Sequence, residues 1–277
     1  MAVFTNQATL SYNNITVNSN TVTGEVLESL VLNKNAIRDV YSVGDIVSYA
    51  ISIVNTSQTP FDALTLTDDL GAYVFGTQTL VPLTYLDGTV QYYVNGTLAP
   101  APTVTSENPL TVEGINIPAG GNALVIYSAR VNNFAPPAAD GEITNTASVN
   151  ACGGEASETI TALSEPQLEV EKGITPATVG CGGTVNYTFT IRNYGSAEAI
   201  ATDNVVLSDV FDPALTNITV TLNGAPFTAY TYNETTGEFA TTSGAITVPA
   251  ATYTQDPVTG AYSVNPGTVT LTVTGTV

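Results

Sequence analysis

The residues best equipped for chemistry in this 277-residue chain are its two lysines, Lys34 and Lys172, read together with amides and carboxylates elsewhere in the sequence. A lysine kept neutral by burial is a nucleophile, and an asparagine carboxamide polarised by a buried carboxylate is its acyl acceptor, so the two can condense to an amide. Two sets qualify on the repeat described below. Lys34, Asp68 and Asn145 lie in one half of the chain; Lys172 and Asp209 lie in the other and are completed by Asn6 of a second copy. The plainer alternative is a lysine that lays its stem on the surface with its ammonium in water, and an asparagine that forms a turn. The two cysteines, Cys152 in Ala151-Cys152-Gly153-Gly154 and Cys181 in Gly180-Cys181-Gly182-Gly183, stand in Gly-rich turns. An accessible thiol there can form a disulfide between copies in oxidising surroundings, or stay unpaired.

Other chemistry lacks its material. With no His and no Trp, the chain cannot build a Ser-His-Asp triad, a His-based zinc site or a Cys-His nucleophile. No catalytic residue, cofactor or metal is assigned: Asp68, Asp69, Asp203 and Asp209 lack the spacing of an EF-hand. Five basic residues against 24 acidic ones give a net charge of −19, which repels nucleic acid and anionic membranes. No apolar run approaches a transmembrane helix. The opening Met1-Ala2-Val3-Phe4-Thr5-Asn6 has no basic region and no long apolar run, so no signal peptide is expected.

The elements that must position these residues come from an internal repeat. Residues 30–55 align without a gap on residues 168–193 at an offset of 138, which sets Lys34 on Lys172, Gly44 on Gly182, Tyr49 on Tyr187 and Asn55 on Asn193. Leu66-Thr67-Asp68 matches Leu207-Ser208-Asp209, and Asn95-Gly96 matches Asn223-Gly224. Pro118-Ala119-Gly120-Gly121 with residues 123–131 then matches Asn265-Pro266-Gly267 with residues 269–277. Ile46, Tyr49, Ile51 and Ile53 in one copy and Val185, Tyr187, Phe189 and Ile191 in the other alternate as half-buried strands do. The Asn-Gly pairs suit tight hairpin turns that need φ > 0. The fold class expected is all-β, with two tandem Ig-like antiparallel β-sandwich domains of roughly seven strands, A to G, each.

The first domain, residues 29–165, supplies all seven strands, its F and G strands lying between Ile143 and Leu163. The second, residues 166–277, supplies A to E and lacks its last two. At the other end of the chain Phe4-Thr5-Asn6-Gln7-Ala8-Thr9-Leu10 matches Ile143-Thr144-Asn145-Thr146-Ala147-Ser148-Val149 of the first domain's F strand. Residues 1–28 therefore read as a donor hairpin, with Phe4, Asn6, Ala8, Leu10, Ile15, Val17 and Val22 as its assembly residues. Its link to the first domain is too short for the hairpin to close the second domain of its own chain. The expected partner is a second copy, in a head-to-tail homopolymer.

Leu168-Glu169-Val170-Glu171-Lys172 with Thr175-Pro176, Gly182-Gly183-Thr184-Val185-Asn186-Tyr187-Thr188, Asn193-Tyr194-Gly195-Ser196-Ala197, Val206-Leu207-Ser208-Asp209 and Thr144-Asn145-Thr146-Ala147-Ser148-Val149 together resemble the bacterial cell-surface repeat family called domain of unknown function eleven. The resemblance covers almost the whole chain. It implies Ig-like sandwiches displayed outside the cell, on a bacterial cell or spore surface, and a structural subunit of an extracellular filament. The alternative is a monomeric adhesive or stalk module of a larger surface protein. In sandwiches of this type the A–B and F–G loops lie at opposite poles, so Cys152 and Cys181 face each other only across a head-to-tail junction. Lys–Asn amide bonds of the kind considered above occur in some bacterial pilin and adhesin sandwiches.

Overall fold

Alternation of apolar and polar side chains draws almost every ordered segment into an antiparallel strand, and the chain is all-β as the sequence predicts. The computed structural model describes residues 2–26, 29–151 and 154–277, in which the one helical element is a turn of 3-10 helix at Ala201–Asp203. The chain divides into two units: Met1–Ala135 with Glu142–Thr161, and Pro136–Gly141 with Ala162–Val277. The segment 136–141, which the repeat places inside the first domain, groups with the second unit, where the Ala162 N–H donates to the Gly141 carbonyl at 2.8 Å.

The first unit is a sandwich of two sheets. One runs Thr97–Ala99, Gln91–Val94, Asn122–Val131, Ile46–Asn55, Leu30–Ala36, with Leu83–Tyr85 also paired to Asn122–Val131. The other runs Thr103–Glu107, Leu110–Ile117, Phe61–Asp68, Glu142–Val149, Glu155–Ala162, Val40–Tyr41. Side chains alternate across each strand, so one face of every strand enters the core. Tyr49, Ile51, Ile53, Tyr127, Leu66, Leu110, Ile115 and Ile143 are all buried there. More than seven strands are present. The additional ones are short and lie between residues 73 and 107, broken by turns at Gly76, Gly88 and Asn95-Gly96, all with positive φ.

The second unit has a five-stranded sheet in the order Leu168–Thr175, Thr184–Asn193, Gly267–Thr276, Thr216–Leu222, Ala225–Pro226. A three-stranded sheet runs Ser208–Val210, Glu238–Thr241, Tyr230–Tyr232, and Thr252–Gln255 pairs with Tyr262–Asn265. Val185, Phe189, Phe211, Leu215, Phe239, Leu271 and Val273 share its core.

The N-terminal segment is a long hairpin built of two short sheets. Ala2–Asn6 pairs with Val22–Val26, and Thr9–Tyr12 pairs with Ile15–Asn18. Its tip is Asn13-Asn14, with φ of 45° and 65°, the two left-handed residues that a two-residue hairpin turn requires. Asn95-Gly96 (48°, 77°) and Asn223-Gly224 (50°, 80°) make the same turn, as their sequence predicts.

Candidate assembly site

The hairpin is two-sided because its strands alternate and its register slips once. Asn6 lies opposite Val22 and Thr9 opposite Asn18, so Gln7 alone faces the two residues Asn20 and Thr21, a bulge. The Ser19 hydroxyl holds it by accepting from the Ala8 N–H at 2.9 Å, and the Gln7 amide donates to the Ser19 carbonyl at 2.7 Å. The slip absorbs the odd spacing between Val17 and Val22. Phe4, Asn6, Ala8, Leu10, Tyr12, Ile15, Val17 and Val22 consequently fall on one face. Thr9, Ser11, Thr16 and Asn18 fall on the other and form a polar ladder: Thr9 to Asn18 at 3.0 Å and Ser11 to Thr16 at 3.3 Å.

The first unit contains the same device, already packed. Glu142–Val149 and Glu155–Ala162 carry an outer ladder of Thr144 with Thr159 at 2.8 Å and Thr146 with Ser157 at 2.9 Å, and their inner face buries Ile143, Asn145, Ala147 and Val149. Phe4 is 56% exposed where its match Ile143 is 2% exposed, and Leu10 is 65% exposed where Val149 is 9%. Among the described residues neither hairpin sheet pairs with another strand. Phe4 instead lies against Gly24 across the ribbon, where a Cβ would collide with its ring. A two-stranded ribbon with an uncovered apolar face is marginal in water.

The second unit shows the converse. In the first unit Phe61–Asp68 is flanked on both sides, with Asp68 opposite Leu110 on one strand and Ala147 on the other. The corresponding Ser208–Val210 is flanked on one side, with Asp209 opposite Phe239, and among the described residues no strand lies on its other side. Leu30, Leu32 and Lys34 are buried, whereas every residue of Leu168–Thr175 is exposed, including Leu168, Val170 and Ile174. An unpaired strand edge beside an apolar strip is a surface that costs free energy until it is covered.

The two lysine clusters record the same difference. The Lys34 Nζ donates to the Asp68 carboxylate at 2.7 Å with both side chains essentially inaccessible, and stands 5.0 Å from the centre of the Tyr49 ring. Burial pushes the Lys34 amine down and the Asp68 carboxyl up, each toward its neutral form, although their mutual attraction opposes this. Asn145 reaches the cluster from the F strand: its Nδ2 donates to the Tyr127 hydroxyl at 2.8 Å, while its Oδ1 is buried with no hydrogen-bond partner. Burial also pushes the Tyr49 and Tyr127 hydroxyls above the usual phenol range. The structure thus brings Lys34, Asp68 and Asn145 together.

Lys172 and Asp209 also pair, at 2.5 Å, but with side chains 43% and 18% exposed. The Lys172 ammonium lies 4.9 Å from the Tyr187 ring centre, 5.6 Å from Phe189 and 5.5 Å from Phe211, an aromatic seat open on one side. Asn6 is exposed on the hairpin. Cys181 is an exposed free thiol; Cys152 lies outside the described residues. Among the described residues no group of three or more His, Cys, Asp or Glu side chains is placed to hold a metal, and no helix is long and apolar enough to cross a membrane.

Sequence reasoning missed two participants. Tyr127 enters the Lys34 cluster from the strand beside Tyr49, and alternation marks it only as a core residue. Tyr12 extends the hairpin's apolar face by one more step of two beyond Leu10.

No protein-family model matches the chain, and no curated protein does. Solved structures similar to it include the pilus backbone RrgB of Streptococcus pneumoniae, at 12% identity and a TM-score of 0.35, covering 86% of this chain and 55% of that one. BcpA, the major pilin subunit of Bacillus cereus, matches at 12% identity and a TM-score of 0.34, covering 96% and 73%. The type II cohesin dyad of the ScaA scaffoldin from Acetivibrio cellulolyticus matches at 10% and 0.24, covering 89% and 85%. The chain spans little more than half the length of the first of these. At such identities and scores nothing about this chain's function rests on them.

Proposed function

We propose that this chain is the subunit of an extracellular bacterial filament, assembled head to tail by insertion of the N-terminal hairpin of one copy into the uncovered edge of the second unit of a neighbouring copy. The observation that carries this reading is the paired exposure just described: the hairpin's apolar face and the second unit's open edge are the two halves of a contact that the first unit makes internally. The internal contact also supplies the register. Ala147 lies opposite Asp68 and Ser148 opposite Thr67, so Ala8 takes the place opposite Asp209 and Thr9 the place opposite Ser208. Asn6 then occupies the position beside Lys172 that Asn145 has beside Lys34.

The energetics favour one stable closure. Each large apolar side chain moved from water into the core contributes about 1.5–3 kcal/mol. The hairpin exposes Phe4, Leu10, Tyr12, Ile15, Val17 and Val22. Their sum, of order 10 kcal/mol, is comparable with the roughly 4–15 kcal/mol lost in association, and new strand pairing adds to it. Three residues, 27–29, separate the hairpin from the strand Leu30–Ala36, a reach of at most about 10 Å. The first unit's own F and G positions are filled, so the acceptor in this reading is the second unit of another copy. The contact is heterologous, so it propagates unless its rotation closes a ring. The resemblance to the cell-surface repeat family supports a place on a bacterial cell or spore surface.

Electron microscopy of the purified protein tests this reading. It predicts filaments of uniform width; a population that stays monomeric at high concentration contradicts it and favours the adhesive-module alternative.

A further inference from the structure

We propose that the side chains of Lys34 and Asn145 become joined by an amide bond within the first unit, with Asp68 carrying the protons. The bond would tie the strand Leu30–Ala36 of one sheet to Glu142–Val149 of the other, across the core.

The groups needed are gathered and dehydrated. Lys34 is the nucleophile, held on Asp68 at 2.7 Å with no exposed side-chain surface. Charged and neutral forms of the pair hold the same number of protons, and burial favours the form with a free amine and a carboxylic acid. Asn145 is presented by its bond to the Tyr127 hydroxyl, which fixes the carboxamide plane, and its Oδ1 is the one atom of that amide left without a partner in a dry site. A buried carbonyl oxygen lacking a donor is costly as it stands. It gains most when charge develops on it and an acid stands nearby.

The step balances without any outside reagent. The Lys34 Nζ lone pair attacks the Asn145 Cγ while the Asp68 acid donates its proton to Oδ1. The resulting Asp68 carboxylate takes a proton from Nζ and passes it to Nδ2. The Cγ–Nδ2 bond then breaks, Oδ1 returns its proton to Asp68, and ammonia leaves. One C–N bond forms, one C–N bond breaks, nothing is oxidised or reduced, and Asp68 ends as it began. Holding amine and amide in one dry cluster, the first on Asp68 and the second on Tyr127, is what would make so unreactive a pair react.

The second lysine shows what the first has in addition. Tyr127 lies opposite Tyr49 in the register, and at the equivalent place opposite Tyr187 stands Val273. Lys172 is also partly in water, with its side chain 43% exposed. The inference therefore concerns Lys34 and does not depend on assembly.

Intact-mass measurement on the denatured full-length chain tests it. The expected mass is that of the sequence less one ammonia, with a branched peptide joining Lys34 to Asn145 after proteolysis. The Asp68→Asn and Lys34→Met variants are expected to return the full sequence mass. A wild-type chain at full sequence mass overturns the proposal, whatever the variants do, and so does an ammonia loss that maps to a cyclised asparagine instead of a branched peptide.

Discussion

Removal of residues 2–24 is expected to abolish filament formation while leaving both units folded. The hairpin pairs with no other strand among the described residues, so deleting it takes nothing from either core. It removes the whole apolar face that assembly would bury. With a deficit of order 10 kcal/mol from that face alone, and a tenfold change in affinity for each 1.4 kcal/mol or so, no residual assembly at micromolar protein is expected. Light scattering and electron microscopy of the shortened chain read the result directly. A single substitution should go most of the way: Leu10→Asp sets a charge into the place that Val149 fills in the first unit, and Ala8→Glu sets one opposite Asp209. Each buries an unpaired carboxylate on assembly, and neither touches the packing of a free copy. Filaments that persist after the deletion would assign assembly to another surface.

Replacement of Asp68 by alanine is expected to destabilise the first unit by about 3–5 kcal/mol, because it leaves the buried Lys34 amine without its partner and, on the inference above, without the group that lets it bond to Asn145. The matching change, Asp209→Ala, is expected to cost the free chain no more than about 1 kcal/mol, since Lys172 keeps water on one side and loses a partly exposed ion pair. The comparison sets a covered Lys–Asp pair against an open one on matching strands. Amide hydrogen exchange read strand by strand in the chain lacking residues 2–24 separates the units: protection should fall across Leu30–Ala36 and Phe61–Asp68 in the first variant and hold across Leu168–Thr175 in the second. Equal losses in both would mean that the second unit's cluster is as enclosed as the first, and the open edge would lose its support.

Much of this was legible in the sequence, and the parts that were not have identifiable causes. The offset that sets Lys34 on Lys172 and Asp68 on Asp209 is a relation between residues, so it survives without coordinates, and both ion pairs follow from it. The alternation along residues 49–53 and 185–191 shows which side chains enter a core, whereas Ile46, read with them, is 47% exposed because the inward phase of that strand starts at Val47; Asn95-Gly96 and Asn223-Gly224 carry the turn chemistry that their φ values display. Alternation does not show what a buried side chain touches, which is why Tyr127 read as core and not as the residue that presents Asn145. The short strands between residues 73 and 107 span three to five residues each, too few for a period to register. The bulge at Gln7 was hidden for a related reason. Its mark is the odd spacing of Val17 and Val22, which reads as a fault in the pattern until Ser19 is seen to hold the slip. Exposure lies furthest from the sequence: Phe4 and Ile143 occupy matching places in matching segments, and only the structure shows one covered and the other bare.

The central claim, insertion between copies in a defined register, is tested most directly by a paired cysteine crosslink. In a chain whose Cys152 and Cys181 are replaced by serine, Thr9→Cys is made in one preparation and Ser208→Cys in another. Directly opposed residues of antiparallel strands stand about 4.5–5.5 Å apart, within disulfide reach. The account predicts that oxidising the mixture gives a disulfide-linked dimer holding one chain of each kind, and that the double variant gives long covalent chains on a denaturing gel. A double variant that closes on itself as a disulfide-bonded monomer, or a mixture that yields no mixed dimer, would contradict it.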